Sequence, residues 1–253
     1  GLAAIIPPSV FVIIYAVLTD QSAGQMFVAI LGPGLLTTGL FAGYCVVRCL
    51  ITPSMGPRQP HASWRERIEC LPSAIPVIVT FGTVIGGIYC GLATPTEAAA
   101  LGCVAVIIIA GCMRKLTPDL IIPAFKDGAK MSASIFFLFI GGWLMSRFLV
   151  TTGTTRHMVD VFVGFQMSRT TLLLMMFALF LILGCILEST SILVLTMPFM
   201  YPITQQYGVD AVWFGTFVTM MMVLAGISPP VGLNVFVVRS VCTDIPVTTI
   251  YKG

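Results

Sequence analysis

Long apolar runs with very few charged residues decide what this chain can fold into. A helix needs roughly 20 apolar residues to cross the hydrocarbon core of a bilayer, and residues 26–51, 71–92 and 96–113 provide uninterrupted stretches of about that length. Only 9% of the residues are charged and the mean hydropathy is +1.01, whereas about a quarter of a soluble domain is charged. These runs predict an all-α polytopic membrane protein and exclude a soluble globular fold, because in lipid a helix satisfies its own backbone polar groups.

Three further apolar stretches are long enough to enter the membrane but are interrupted. Residues 170–202 are broken by the polar cluster from Glu188 to Ser191, and residues 212–242 by Ser228-Pro229-Pro230. Residues 132–150 carry Gly141-Gly142 at their centre. We therefore predict discontinuous helices as well as ordinary spans.

The basic residues predict which loops face the cytoplasm. All 13 lysines and arginines fall within residues 48–67, 114–130, 147–169 and 239–252, and basic loops are retained on the cytoplasmic side. The segregation places the carboxy terminus in the cytoplasm. It also requires residues 132–150 to enter and leave on the same side, because both of their flanks are basic.

We accordingly predict a re-entrant hairpin in residues 132–150 with its tip at Gly141-Gly142, since glycine permits a tight turn. The alternative is a single crossing in which the two glycines are a packing contact; it would place Arg156 and Arg169 outside. Residues 118–130 are short and amphipathic, and we predict a separate helix there along the cytoplasmic surface.

Two Pro-Pro pairs indicate an inverted repeat. One lies in AIIPPSVFVIIY, residues 4–15, and the other in GISPPVGLNVFVV, residues 226–238. A proline pair leaves carbonyls without their helical partners, and hydrocarbon cannot satisfy these groups. In the predicted topology the two helices run in opposite directions, which is typical of the paired broken helices near a transporter's binding site. A packing kink is the alternative for either copy alone.

The cluster from Glu188 to Ser191 is a candidate cation site. A carboxylate at mid-membrane costs at least about 2.5 kcal/mol on insertion scales, so it is expected to face a cavity or a partner. Oxygen ligands without His or Cys suit a hard monovalent cation better than a transition metal. Alternatively, the hydroxyls bond to local helix carbonyls and Glu188 reaches towards the membrane surface.

Other classes of function find little support. The net charge of +3 is scattered, which argues against a nucleic-acid partner. An intramembrane enzyme would need a catalytic pair at one depth, but both histidines lie in loops and Glu188 has no intramembrane carboxylate partner. In TPTEAAALG, residues 94–102, Thr94 or Thr96 and Glu97 have the spacing of a helix cap, which explains the motif without a functional role.

The order of five segments resembles one transporter family. IIPPSVFVIIYAVLTDQSAGQMFVAILGPG, GGIYCGLATPTEAAALG, ILESTSILVLTMPFMYPI, WFGTF and ISPPVGLNVFVV are similar to the large, DctM-like membrane subunit of tripartite ATP-independent periplasmic (TRAP) transporters. The resemblance extends over the whole chain. It implies the carboxy-terminal portion of such a subunit, with most of the first repeat outside this sequence.

The resemblance implies an inverted-repeat, ion-transporter-type fold with a re-entrant hairpin and discontinuous helices. Its implied domains are the end of the first repeat at residues 1–20, scaffold spans with the cytoplasmic helix at 21–130, and a second-repeat transport domain at 131–253. It further implies uptake of C4-dicarboxylates, keto acids or sugar acids across the bacterial inner membrane, by an elevator movement coupled to Na⁺. The implied partners are a small, DctQ-like membrane subunit and a periplasmic, DctP-like solute-binding protein.

The resemblance also implies a sodium and substrate site. Its second-repeat residues are Glu188, Ser189, Thr190, Ser191, Gly226, Ile227, Ser228, Pro229, Pro230 and Asn234, and its first-repeat remainder is Pro7, Pro8 and Ser9. No cofactor other than the coupling ion is expected. The chief rival is a proton-coupled organic-anion carrier, with Glu188 as the proton relay, or a channel that uses no binding protein.

Overall fold

The computed structural model describes residues 2–53, 56, 63–165 and 167–228. Within them the regular structure is helical: a 3₁₀ turn at Leu2–Ala4 is followed by α-helices. Their bounds are α1 Val10–Thr19, α2 Ala23–Ile51, α3 Trp64–Tyr89, α4 Pro95–Cys112, α5 Pro118–Thr151, α6 Thr154–Gly164, α7 Arg169–Gly184, α8 Ser189–Gln206 and α9 Ala211–Ala225. The all-α polytopic membrane fold predicted from the sequence is thus confirmed.

Three of the described helices, α2, α4 and α5, are long and apolar enough to cross a membrane. α1, α7 and α9 are apolar but shorter, with 10, 16 and 15 residues. At 1.5 Å per residue the last two extend only about 22–24 Å, less than the roughly 30 Å of hydrocarbon.

The chain forms two compact units. One consists of residues 1–33 and 130–253, and the other of residues 34–129. In the second unit α3 packs against α4, and the predicted cap of α4 is confirmed: Thr94 and Glu97 form a reciprocal capping box. The assignment of segments to repeats, scaffold and transport domain stays a prediction.

The predicted turn at Gly141-Gly142 is wrong. α5 runs without interruption from Pro118 to Thr151, so residues 118–130 do not form a separate helix either. A β-carbon at Gly142 would collide with the Val194 side chain of α8, whereas a β-carbon at Gly141 would meet nothing within 4 Å. Gly142 therefore serves close helix packing, as small residues commonly do in membrane proteins. The chain turns after α5, at Thr152 and Gly153, where Gly153 has φ +71°.

α7 and α9 run parallel. At their beginnings the Arg169 guanidinium lies 5.8 Å from the centre of the Trp213 ring. Further along, the Phe180 and Phe217 rings are 6.4 Å apart. At their ends Gly184 packs directly against Ala225.

α8 runs in the opposite direction and connects these two helices. Its first residue, Ser189, donates a hydrogen bond to Met222 near the end of α9, and only residues 207–210 separate its last turn from the start of α9. α7 and α8 therefore form a helical hairpin with a four-residue connection, residues 185–188. The single broken crossing predicted for residues 170–202 is wrong, because two halves of one span would continue in the same direction.

α1 packs against α8 and α9 in the core of the first unit. The Tyr15 hydroxyl donates to the carbonyl oxygen of Ala211 at 2.8 Å, and its ring packs edge-on against Tyr201 and Phe214. Gly215 faces this tyrosine so closely that a β-carbon there would collide with its ring. These contacts fix α1 beside the start of α9.

Candidate functional site

The connection between α7 and α8 meets the end of α9. A β-carbon at Gly184 would lie 2.6 Å from the Ala225 Cβ and 2.7 Å from its Cα, so the two backbones touch. The buried Ser189 hydroxyl donates to the Met222 carbonyl oxygen at 2.9 Å. The structure therefore brings the interruption after α7 together with the end of α9, which precedes the second interruption predicted from the sequence.

Glu188 is the N-cap of α8. Its carboxylate accepts from the backbone N–H of Ser191 at 3.0 Å and from the hydroxyls of Thr190 and Ser191 at 2.8 and 3.4 Å. The interruption consequently spans residues 185–188 rather than Glu188 to Ser191, because Ser189, Thr190 and Ser191 already form the first turn of the helix. Glu188 is exposed in the chain as described, and its two hydroxyl donors are half-buried.

The connection also presents backbone oxygens. Within the described part of the chain, no hydrogen bond reaches the carbonyl oxygens of Cys185, Ile186 or Leu187. These groups follow the carboxyl end of α7, where the helix dipole is negative, and immediately precede the positive amino end of α8. The tip thus combines free carbonyls, hydroxyls and a carboxylate, a set that favours a hard cation, with a helix terminus that favours an anion.

The end of α9 supplies the other side of the site. Gly226 follows the last helical residue, and Ser228 folds back so that its N–H and hydroxyl both donate to Leu224, at 3.0 and 2.9 Å. Gly226 is buried, Ile227 exposed and Ser228 half-buried. The predicted site residues Pro229, Pro230 and Asn234 lie outside the described residues.

The first-repeat residues lie at the start of α1. Ser9 is buried, is the N-cap of the helix and donates its hydroxyl to Ala4 at 2.5 Å. Pro7 is buried and Pro8 exposed. The hydrogen bond of Ser9 stays within its own segment, so it does not link this segment to the tip of the α7–α8 hairpin.

Sequence reasoning missed the residues that make the close contact. Gly184 and Ala225 carry no polar group, and only their small size indicates the role, since small residues allow membrane helices to approach closely. A lone glycine four residues before the polar cluster that begins at Glu188 was the available signal. Met222 gave none, because it contributes a backbone oxygen.

All 253 residues match the family model described as "Tripartite ATP-independent periplasmic transporter, DctM component". The sialic acid TRAP transporter large permease protein SiaM of Vibrio cholerae serotype O1 is 31% identical over 258 residues, an alignment that covers 100% of this chain and 58% of SiaM. The C4-dicarboxylate TRAP transporter large permease protein DctM of Pseudomonas aeruginosa is 30% identical over 249 residues, covering 97% of this chain and 57% of that protein.

The ectoine TRAP transporter large permease protein TeaC of Halomonas elongata is 30% identical over 243 residues, covering 93% of this chain and 55% of TeaC. The chain thus spans a little over half the length of these relatives. Each of the three is named as a permease and not as an enzyme, in agreement with the prediction.

Proposed function

Since this chain belongs to the DctM component family of tripartite ATP-independent periplasmic transporters, we propose that it forms part of a large membrane subunit that imports small organic acids together with Na⁺. The observation that supports this most directly is the contact of one helix interruption, residues 185–188, with the end of α9 through Gly184 and Ala225. Interrupted helices at membrane depth are characteristic of the binding sites of secondary transporters.

Sodium is the coupling ion that the chemistry of this site favours. The carbonyls of Cys185, Ile186 and Leu187, which accept no hydrogen bond from the described residues, lie beside the carboxyl end of α7. Na⁺ is coordinated by neutral and anionic oxygens of this kind. Glu188 supplies a negative charge next to them. A transition-metal ion is bound preferentially by nitrogen or sulfur ligands.

A carboxylate is the substrate group that fits best. The amino end of α8 lies within the same tip, and helix amino termini attract anions. Two of the relatives are named for carboxylic acids, sialic acid and C4-dicarboxylates. We therefore propose that the substrate is a C4-dicarboxylate, a keto acid or a sugar acid.

The hairpin of α7 and α8 is proposed to be re-entrant. It returns the chain to the side where α7 began, and its tip lies level with the end of α9, after only about 22–24 Å of helix. α5 then makes the crossing that the sequence analysis gave to residues 170–202. The number of crossings after Lys115 is unchanged, so the carboxy terminus is still proposed to be cytoplasmic, in the inner membrane.

The hairpin and α9 are proposed to move together with a bound solute, as in an elevator mechanism, with a small membrane subunit and a periplasmic binding protein as partners. The close contact of Gly184 with Ala225 supports joint movement, because a side chain cannot be placed between the two helices without displacing backbone. The name of the family itself includes the word periplasmic.

The test is uptake by liposomes that hold the gene product carrying this chain, its small membrane subunit and the binding protein. Labelled C4-dicarboxylate and sialic acid are supplied at fixed pH with and without an inward Na⁺ gradient. We expect uptake that needs both Na⁺ and the binding protein, and we expect Glu188→Gln to raise the Na⁺ concentration for half-maximal uptake at least tenfold.

Glu97→Gln is the matched control, because Glu97 is also a capping carboxylate at a helix amino terminus but lies in the other compact unit. We expect it to leave the Na⁺ dependence unchanged. Uptake that follows a proton gradient and ignores Na⁺ would contradict the proposal and favour a proton-coupled carrier. Uptake without a binding protein would contradict the tripartite assignment.

A further inference from the structure

A second site lies away from the hairpin tip, in the same compact unit. An apolar cavity of about 800 Å³ lies between α1, the second half of α5 and α8. Ile13, Phe139, Trp143 and Met197 are among its lining side chains. Such a volume lined by aliphatic and aromatic groups suits a hydrocarbon chain.

The apolar cavity continues into a polar one of about 810 Å³. The two share Val150, Thr155 and Pro202 as lining residues. The polar cavity is lined further by the hydroxyls of Thr151 and Thr152, the amide of Gln206 and two charged side chains, Arg156 and Asp160. Together they form one amphipathic cavity with an apolar body and a charged end.

The direction of this cavity matches that of a lipid. Its apolar part follows α5 from Ile135 to Val150, over a length of about 22 Å. This length is sufficient to cover one leaflet of the hydrocarbon, which is about 15 Å thick. The charged end lies at α6, which has no buried residue and carries Arg156, His157 and Asp160. A charged helix of this kind belongs at the membrane surface, where lipid headgroups lie.

A polar atom at the junction of the two cavities has no partner. The Thr155 hydroxyl oxygen is inaccessible to solvent and forms no hydrogen bond in the described part of the chain. A buried hydroxyl without a partner is unfavourable, so the packing of the described residues leaves a polar group unsatisfied at this junction.

The charged end offers both signs at headgroup spacing. Arg156 and Asp160 are four residues apart on α6, so one helical turn separates them. The described residues contain no ion pair that occupies either of them. Phosphate is a preferred partner of arginine, and a primary ammonium group can donate hydrogen bonds to a carboxylate.

We propose that this cavity binds one phospholipid with a zwitterionic, primary-ammonium headgroup, of the phosphatidylethanolamine type. Its acyl chain occupies the apolar cavity beside Trp143. Its phosphate binds Arg156, and its ammonium group binds Asp160. The site is separate from the cation site at the α7–α8 tip and does not depend on it.

Trp143 is a reporter for this lipid, because it lines the apolar cavity. The gene product carrying this chain is reconstituted with Trp143 retained and its other tryptophans, Trp64 and Trp213 among them, replaced by Phe. Quenching of its fluorescence is measured with dibrominated phosphatidylethanolamine, phosphatidylcholine and phosphatidylglycerol, each at the same mole fractions in the same unbrominated host lipid. We expect phosphatidylethanolamine to quench with an apparent affinity about three- to fivefold above the other two, as expected for headgroup charge pairs at a surface.

Charge variants test the headgroup assignment. We expect Arg156→Gln to weaken quenching by all three lipids, because each carries a phosphate, and Asp160→Asn to transfer the preference from phosphatidylethanolamine to the anionic phosphatidylglycerol. Lys115→Gln is the matched control, since it removes an exposed cation outside the cavity, and we expect it to leave the preference unchanged. All three positions are exposed, so the fold tolerates the substitutions.

A second reporter separates this site from general contact with lipid. Phe137, 78% exposed and outside the lining of the apolar cavity, is replaced by Trp in a chain that also carries Trp143→Phe. We expect this reporter to be quenched equally by all three lipids. Equal quenching of Trp143 by the three lipids, quenching of Trp143 weaker than that of the reporter at position 137, or a preference for phosphatidylethanolamine that survives Asp160→Asn would each overturn the proposal.

Discussion

The adjacent glycines of α5 allow a direct test of how this helix packs. Gly142→Ala places a methyl group against the Val194 side chain of α8 and 3.3 Å from its carbonyl oxygen, whereas Gly141→Ala meets nothing within 4 Å. Both substitutions gain the same helix propensity, about 0.8–1.0 kcal/mol. Only the first adds overpacking, which costs about 1–3 kcal/mol. We therefore expect Gly142→Ala to be less stable than Gly141→Ala by about 1–3 kcal/mol.

The measurement is reversible unfolding of the purified chain in mixed micelles, followed by circular dichroism as the fraction of sodium dodecyl sulfate rises. Val194→Ala is added to each glycine variant to complete two double-mutant cycles. Because the collision is with the valine side chain, Val194→Ala is expected to recover most of the loss in the Gly142→Ala background and to be purely destabilising beside Gly141→Ala.

Equal stabilities of the two glycine variants would refute the reasoning, as would a Val194→Ala effect that is the same in both backgrounds. Either result would mean that α5 does not pack against α8 at Gly142. The prediction of a turn at Gly141-Gly142 would then have to be reconsidered.

Three further substitutions test other contacts. Ser189→Ala removes the buried hydrogen bond to Met222, and we expect it to lower the free energy of unfolding by about 1 kcal/mol. We also expect it to reduce the extra thermal stability that Na⁺ gives relative to K⁺. The control Ser134→Ala removes an exposed bond to Lys130 and is expected to change neither quantity. Tyr15→Phe removes the hydrogen bond to Ala211 and is expected to lower the free energy of unfolding by about 0.5–1.5 kcal/mol. The control Tyr44→Phe, at a 60% exposed position, is expected to cause no measurable loss, so equal melting temperatures of the two variants would contradict this. Thr94→Val breaks the capping box of α4 and is expected to speed hydrogen exchange in the first turn of α4, with a cost of about 0.5–2 kcal/mol, while exchange in α8 stays unchanged.

The sequence predicted the parts of the fold that follow from local rules. The long apolar runs became α2, α3 and α4 with ends shifted by a few residues, and the Thr94 cap appeared where its spacing indicated. Both predictions depend on hydropathy and on backbone groups within one helix. Such interactions involve residues that are close in the sequence, so their prediction does not require knowledge of the tertiary packing.

The hairpin was misplaced because its evidence is tertiary. Gly141-Gly142 has the composition of a turn, but the nearby Val194 shows that the glycine is needed for packing. Whether the helices on either side of Glu188 continue or reverse depends on α9, which lies more than 20 residues further along the chain. The rule for basic loops assigned the turn to residues 132–150 because it counts charges and does not register packing contacts such as that of Gly142 with Val194.

The polar residues of the candidate site were easier to predict than its geometry. Glu188 and its hydroxyl neighbours stand out in an apolar run, because their insertion is costly. The sequence placed the break one turn too late, since an N-cap belongs to the end of a connection and not to its start. The carbonyls of Cys185 and Ile186, which no described residue bonds to, could not be predicted from the side chains at all.

The four-residue tip of the hairpin begins with a natural thiol. Cys185 is half-buried there and directs its sulfur towards Leu181, whereas the other described cysteines in the free state are exposed on α2, α4 and the end of α3. Water-soluble maleimides do not enter hydrocarbon, so they can modify this one thiol only when an aqueous path reaches the tip. The remaining cysteines can therefore be replaced by alanine, and the rate of alkylation of Cys185 can be measured with maleimide added to each side of the membrane. These rates would show which face of the membrane the tip is open to at each stage of the cycle.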